Sequence, residues 1–123
     1  LLDLYPTIAE LAGLEYSPHI QGKSLVNTLD DPNAFVRDMA FSVSVYRGVN
    51  AFLLRSEKWA YIQYGEDGKA GRELFDMELD PGQYNNLANN PKFQDVVEIF
   101  ESRLREKLRE VRDNDLGIEY GDQ

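Results

Sequence analysis

A long amphipathic pattern near the C-terminal end most constrains the fold. From residue 91 to residue 112, apolar residues recur at the spacing of one helix face. They are Phe93, Val96, Val97, Phe100, Leu104, Leu108 and Val111. Asn90 is the predicted N-cap and Pro91 the first helical residue, where its missing N–H is no loss. Such a helix must lie against an apolar surface that the rest of the chain supplies.

Residues 39–76 supply that surface, because their apolar residues alternate with a period of two. The stretches "MAFSVSVY", "NAFLLRS", "KWAYIQY" and "RELFDM" predict successive strands. A two-residue turn at Ser56-Glu57 is predicted to join the second and third. The predicted fold class is therefore α+β, a four-stranded antiparallel sheet packed by one long C-terminal helix.

The beginning of the sequence predicts a further, short helix. Residues 3–13, "DLYPTIAELAG", have Asp3 as the expected N-cap and Gly13 as the stop. Its apolar face consists of Leu4, Ile8, Leu11 and Ala12. A helix of about three turns is marginal alone, so this face needs a partner surface. Residues 15–38, rich in turn formers, predict a loop region.

Composition excludes several classes of function. A length of 123 residues indicates one domain. A net charge of −9 without a basic stripe argues against nucleic-acid binding. The sequence has no run of about 18 apolar residues that would span a membrane. Zero cysteines exclude disulfides, thiolate catalysis and cysteine zinc sites. The single histidine, His19, lies in a proline-flanked loop and is interpreted as non-catalytic.

The middle of the chain is its only electrostatically neutral part. Its basic residues are Arg47, Arg55, Lys58, Lys69 and Arg72. This stretch is the first place to expect an anion site. The alternative is that these are solvated charges at strand edges.

The stretch "ELFDMELDPGQYNNLANNP", residues 73–91, connects the last strand to the long helix. Asp76, Glu78 and Asp80 resemble the start of a calcium loop, but Pro81 and Leu87 stand where an EF-hand needs glycine and glutamate. Turn chemistry explains the stretch better, because aspartate and asparagine side chains bond nearby backbone groups. We therefore predict a braced corner rather than a metal site.

Three passages in family order resemble the type I, formylglycine-dependent sulfatases of the alkaline-phosphatase-like superfamily. The corner stretch is similar to the signature ELYD…DPxExxNLA, with Gln83 where the family usually has glutamate. The matching residues are Glu73, Leu74, Phe75, Asp76, Asp80, Pro81, Asn86, Leu87 and Ala88. "DLYPTIAELAGL" with "QGKSLVNTL" resembles DLxPTLLxLAG…GxSLxPLL, and "LLRSEKWAYIQY" resembles a strand pair of the form RTxxYRYI.

The resemblance implies the C-terminal portion of such an enzyme rather than the whole. It divides the chain into 1–38, the end of the catalytic α/β domain with a connecting loop; 39–116, the C-terminal subdomain; and 117–123, a flexible tail. The family's Cys/Ser-x-Pro-x-Arg motif is absent, so no catalytic or metal residue carries over. Calcium and formylglycine are expected in the parent enzyme only. The parent's partners would be the N-terminal catalytic domain and a sulfated small molecule or glycan.

Two residues are hypothesised to contact substrate. Arg47, with Tyr46 beside it at the end of the first strand, could grip a sulfate or carboxylate; the alternative is an exposed strand-end arginine. The short helix could also mediate self-association of the chain.

Two other functions stay open. One is a stand-alone α+β interaction module; the other is the tail of a related phosphoester hydrolase. The sequence does not fix the compartment, and the resemblance is compatible with a periplasmic or secreted parent.

Overall fold

A computed structural model of the chain describes residues 2–113. These residues fall into two compact units. One consists of residues 38–110, and the other of residues 2–37 with 111–113. The predicted tail, 117–123, lies outside the described residues. No helix among residues 2–113 is long and apolar enough to cross a membrane.

The larger unit is built on a four-stranded antiparallel sheet in the order β1-β2-β3-β4. The strands are β1 (Ala40–Tyr46), β2 (Val49–Arg55), β3 (Trp59–Tyr64) and β4 (Arg72–Asp76). Each pairs with its neighbour in sequence, so the sheet is a meander with β1 and β4 at its edges. The predicted strands and their order are confirmed.

One long helix covers one face of this sheet. The helix, Gln94–Arg112 (labelled α3 in chain order), is preceded by a 3-10 turn, Pro91–Phe93. The Asn90 side chain caps that turn by accepting a hydrogen bond from the Lys92 N–H at 3.1 Å. The core of the unit combines residues of the strands, the corner and the helix. They are Phe52, Leu54, Tyr61, Leu74, Ala88, Val97, Phe100, Leu104 and Leu108. This confirms the helix-on-sheet architecture.

The polar groups inside this unit are bonded. The buried Gln63 accepts a hydrogen bond from the Tyr61 hydroxyl at 2.8 Å, and its amide donates to the carbonyls of Gly65 and Glu66. Arg72 on β4 contacts Glu101 on α3 with a nitrogen–oxygen distance of 2.6 Å. These contacts fix the loop after β3 and the helix against the sheet.

The turn between β2 and β3 differs from the prediction. The assigned strands end at Arg55 and resume at Trp59. The Ser56 N–H donates to the Trp59 carbonyl at 2.9 Å, which continues the ladder by one pair. Arg55 donates to the Ser56 and Glu57 carbonyls and so braces the turn. The two turn residues are therefore Glu57 and Lys58, so the turn has the predicted length but lies one residue later than Ser56-Glu57.

The smaller unit contains two short helices, α1 (Leu4–Leu11) and α2 (Val26–Asp30). Asp3 occupies the N-cap position of α1, but the expected side-chain cap does not form. Its carboxylate instead accepts from the Lys23 N–H at 2.8 Å and from Arg37 at 2.5 Å. The Thr7 hydroxyl accepts from the Leu25 N–H at 2.9 Å. Helix α1 is thus tied to the following loop by side chains.

The apolar face of α1 is open to solvent. Leu4, Ile8 and Leu11 are all exposed, whereas Pro6, Thr7 and Ala9 are the buried residues of this helix. The apolar spacing led us to expect a partner surface for this face. The described residues do not provide one.

Candidate functional site

The turn between β1 and β2 places Arg47 at the rim of a cleft. Arg47 and Gly48 both have positive φ angles, +51° and +80°, which is the backbone of a two-residue hairpin turn. Glycine adopts this conformation freely, whereas arginine does so rarely. The Arg47 Cζ atom lies 5.2 Å from the centre of the Tyr46 ring, within the range of a cation–π contact.

The cleft has a volume of about 340 Å³. It is lined by Tyr46, Arg47, Val49, Tyr64, Ala70 and Glu73. The rings of Tyr46 and Tyr64 are 5.8 Å apart and tilted by 53°. The Tyr64 hydroxyl donates to Glu73 Oε1 at 3.0 Å. A cation, two aromatic rings and a carboxylate therefore meet in one site.

The hydroxyl of Tyr64 stays protonated in this site. Burial raises the pKa of Tyr64, and the hydrogen bond to Glu73 and that group's negative charge raise it further. The Tyr64–Glu73 pair is consequently a fixed donor–acceptor unit at neutral pH, and the guanidinium of Arg47 is the cation of the cleft.

Arg47 differs from the other basic residues of the middle stretch. The other four contact neighbouring groups: Arg55 binds backbone carbonyls, Lys58 binds Asp76 and Glu78, Lys69 binds Asp67, and Arg72 binds Glu101. Arg47 forms no ion pair with any residue in the range 2–113. Its charge is therefore available to an external anion.

Sequence reasoning named Tyr46 and Arg47 but missed Tyr64 and Glu73. The strand register carries the signal that would have found them. Ala51 pairs with both Ser44 and Tyr64, so alternation places Tyr46 and Tyr64 on the same face of the sheet. Ile62 pairs with Glu73, which adds the carboxylate to that face.

The acidic residues of the 73–91 stretch are occupied by the backbone. Asp76 Oδ1 accepts from the N–H groups of Glu78 and Leu79 at 3.0 and 3.1 Å. Asp80 accepts from the N–H groups of Tyr84 and Asn85, four and five residues on, at 3.1 and 2.8 Å. The N–H groups of Asn85 and Tyr84 hold the pKa of Asp80 below its usual range. These carboxylates stabilise a turn.

The corner also follows the outer edge of β4. The Leu87 N–H donates to the Leu74 carbonyl at 2.8 Å. Asn86 Oδ1 accepts from the N–H groups of Leu74 and Ala88, and its amide donates to the Arg72 carbonyl. Within residues 2–113 no group of three or more acidic or histidine side chains is arranged to hold a metal ion. The predicted braced corner is confirmed, and Leu87 within it packs against the core.

Comparisons with known proteins identify relatives along the described length of the chain. The family model described as "N-sulphoglucosamine sulphohydrolase, C-terminal" matches residues 1–113. Arylsulfatase K of Mus musculus is 32% identical over 116 residues, covering 85% of this chain and 20% of the relative. The Delta 4,5-hexuronate-2-O-sulfatase of Bacteroides thetaiotaomicron is 30% identical over 118 residues, covering 92% of this chain and 24% of the relative.

A solved structure gives the same result for the fold. A 2-O GAG sulfatase superimposes with a TM-score of 0.77 and 28% identity. The alignment covers 98% of this chain and 27% of that one. The chain thus spans about a quarter or less of the length of these relatives.

Proposed function

The chain belongs to the C-terminal family of N-sulphoglucosamine sulphohydrolase, and from this we propose that it works as the C-terminal subdomain of a longer sulfatase. In this role it packs against a catalytic domain and forms one wall of the substrate cleft, without performing the chemistry itself. The short span of the chain relative to its relatives supports the first part of the proposal. The cleft at Arg47 supports the second.

The described residues do not provide the catalytic groups of a sulfatase. The chain has no cysteine that could become formylglycine, and no Ser-x-Pro-x-Arg sequence. Its clustered acids at the corner are used by backbone N–H groups, as the contacts of Asp76 and Asp80 show. In the proposal, calcium and formylglycine are supplied by the catalytic domain.

The exposed face of α1 is the proposed contact with that domain. Leu4, Ile8 and Leu11 form an apolar stripe that is costly to leave in water. The polar ties through Asp3 and Thr7 hold the helix in place without using this stripe. The division proposed from the sequence, with 1–38 belonging to the catalytic domain and 39–116 to the subdomain, gives α1 this role.

The observation that carries the substrate-wall proposal is the unpaired guanidinium of Arg47 at the cleft. Arginine binds sulfate and carboxylate groups through two parallel N–H donors. Tyr46 and Tyr64 offer aromatic surface beside it, and Glu73 offers an acceptor. The relatives' names include a hexuronate-2-O-sulfatase and a 2-O GAG sulfatase. We therefore infer a sulfated saccharide as the ligand class, gripped by Arg47 at an anionic group.

Substitution of Arg47 tests the substrate-wall role. In the longer sulfatase containing this chain, Arg47→Asn keeps the turn, because asparagine tolerates positive φ, but removes the cation. We expect KM for a sulfated saccharide to rise roughly ten- to a hundredfold with kcat little changed. Arg109→Gln removes an exposed cation on α3 and serves as the control. An unchanged KM in a folded Arg47→Asn enzyme would contradict this role.

Sequencing the gene upstream of the Leu1 codon tests the subdomain proposal separately. A Cys/Ser-x-Pro-x-Arg motif in the same reading frame supports a formylglycine sulfatase. A threonine in place of the formylglycine precursor favours a phosphoester hydrolase instead. A reading frame that starts within a few codons of Leu1 contradicts both and leaves the stand-alone interaction module.

A further inference from the structure

The two edge strands of the sheet, β1 and β4, differ in whether another segment bonds to their outer edge. The outer edge of β4 is covered, because Leu87 and Asn86 bond to the backbone of Leu74 and Arg72. No strand or corner among residues 2–113 pairs with the outer edge of β1. An unpaired strand edge presents a row of N–H and C=O groups that can bind another strand.

β1 lacks the features that usually protect such an edge. The strand "AFSVSVY" carries no charge and no proline. All seven of its residues pair in continuous register with β2, so no bulge twists the edge away. Val43 and Val45 are 50% and 71% exposed. A neutral and regular edge of this kind favours pairing over solvation.

The hairpin turn determines which backbone groups of β1 point outward. In a two-residue hairpin, the residues that flank the turn, Tyr46 and Val49, form a hydrogen-bonded pair. Because bonded and non-bonded pairs alternate, the N–H and C=O groups of Phe41, Val43 and Val45 point away from β2. The bond from the Gly65 N–H to the Asn50 carbonyl, 2.8 Å, agrees with this, since it directs Asn50 toward β3 rather than β1.

We propose that β1 pairs antiparallel with β1 of a second copy of this chain, about a two-fold axis at Val43. The two sheets then form one continuous sheet with four strands from each copy. The outward backbone groups of residue 43 meet their own symmetry mates, and those of Phe41 meet those of Val45. The interface goes beyond the proposed role as a sulfatase subdomain and is independent of the α1 face.

The self-complementary pattern of β1 identifies a second copy as the occupant. In this register Val43 lies opposite Val43, Ser42 opposite Ser44, and Phe41 opposite Val45. Apolar side chains therefore meet apolar ones on one face of the sheet, and hydroxyls meet hydroxyls on the other. No like charges are opposed in the strand. The net charge of −9 on each copy repels the other, so salt should strengthen the association.

Sedimentation velocity over a series of protein concentrations tests the interface in the 123-residue chain. We expect reversible dimers, and we expect Val43→Lys to weaken them by about tenfold or more, because two lysines then face each other. Val43→Thr keeps a neutral β-branched residue and should retain the dimer. Far-ultraviolet circular dichroism and urea unfolding establish that each variant is folded.

A charge-pair experiment fixes the position of the two-fold axis. Val43→Lys and Val43→Glu should each dimerise at least about tenfold more weakly than the unchanged chain when alone, but should form heterodimers when mixed, since opposite charges then meet at the axis. Ile8→Lys on α1 is the matched control and should leave the dimer intact. The proposal is overturned if the chain stays monomeric at every concentration, if the mixed variants do not associate, or if only Ile8→Lys removes the dimer.

Discussion

The Asn86 side chain bonds to the outer edge of β4, where a neighbouring strand would otherwise pair. Its Oδ1 atom accepts hydrogen bonds from Leu74 and Ala88 at 3.1 and 2.9 Å, and its amide donates to Arg72 at 3.1 Å. Asn86→Ala removes all of these bonds and leaves the Leu74 N–H without its acceptor. We expect the free energy of unfolding to fall by about 1–3 kcal/mol, measured by urea titration.

Asn89→Ala is the control for that measurement. Asn89 lies in the same corner and is exposed, and its side chain forms no hydrogen bond with residues 2–113. Its substitution should change stability by less than about 0.5 kcal/mol. Equal effects of the two substitutions would show that the corner is held by its backbone rather than by the Asn86 side chain.

Residue types in the corner predicted its chemistry, but not its bonding partners. Asp80 and Asn86 are recognisable turn formers because their short side chains reach the backbone. Which N–H groups they reach depends on how the chain folds back along β4, and that is a tertiary feature. Asp3 shows the same limit: its carboxylate bonds residues 20 and more positions away rather than capping α1. Local residue propensities do not predict contacts between residues that are far apart in the sequence.

At the scale of elements, helix α3 stabilises the larger unit through one face. Leu104 is 1% exposed within the core, whereas Ile99 on the same helix is 55% exposed. Leu104→Ala leaves a cavity between helix and sheet and should lower the free energy of unfolding by about 2–5 kcal/mol. Ile99→Ala should change it by about 0.5 kcal/mol or less. Urea unfolding of both variants measures the contrast; similar losses would mean that the helix is not anchored by this face.

The strands and α3 were predictable because their apolar periods are long and unbroken. The exceptions lie at the turns. Arg47-Gly48 lacks the Asn-Gly type that marks a hairpin, so the sequence placed Arg47 at a strand end rather than at the turn. The cleft could be recognised only from the strand register, which places Tyr64 and Glu73 beside Tyr46. Whether Arg47 and Tyr46 bind substrate stays a prediction.

At the scale of the whole molecule, the exposed apolar face of α1 predicts that one substitution has different effects in the chain alone and in the longer sulfatase proposed above. Ile8 is 63% exposed on α1. In the chain alone, Ile8→Lys should therefore shift the free energy of unfolding by less than about 0.5 kcal/mol. If α1 packs on a catalytic domain, the same substitution buries an unpaired ammonium group there. In the proposed longer sulfatase it should then cost about 2 kcal/mol or more, because a buried charge loses its hydration.

The comparison of two isoleucines makes this test specific. Ile99→Lys places the same new charge on α3, at a site of similar exposure, 55%, and should be nearly neutral in both proteins. Thermal unfolding of each variant, in the chain and in the longer protein, gives four shifts in Tm. The proposal requires that only Ile8→Lys in the longer protein shows a large decrease. If that decrease is absent, α1 is not the docking face, and the self-association expected from its apolar stripe becomes the next explanation to test by sedimentation.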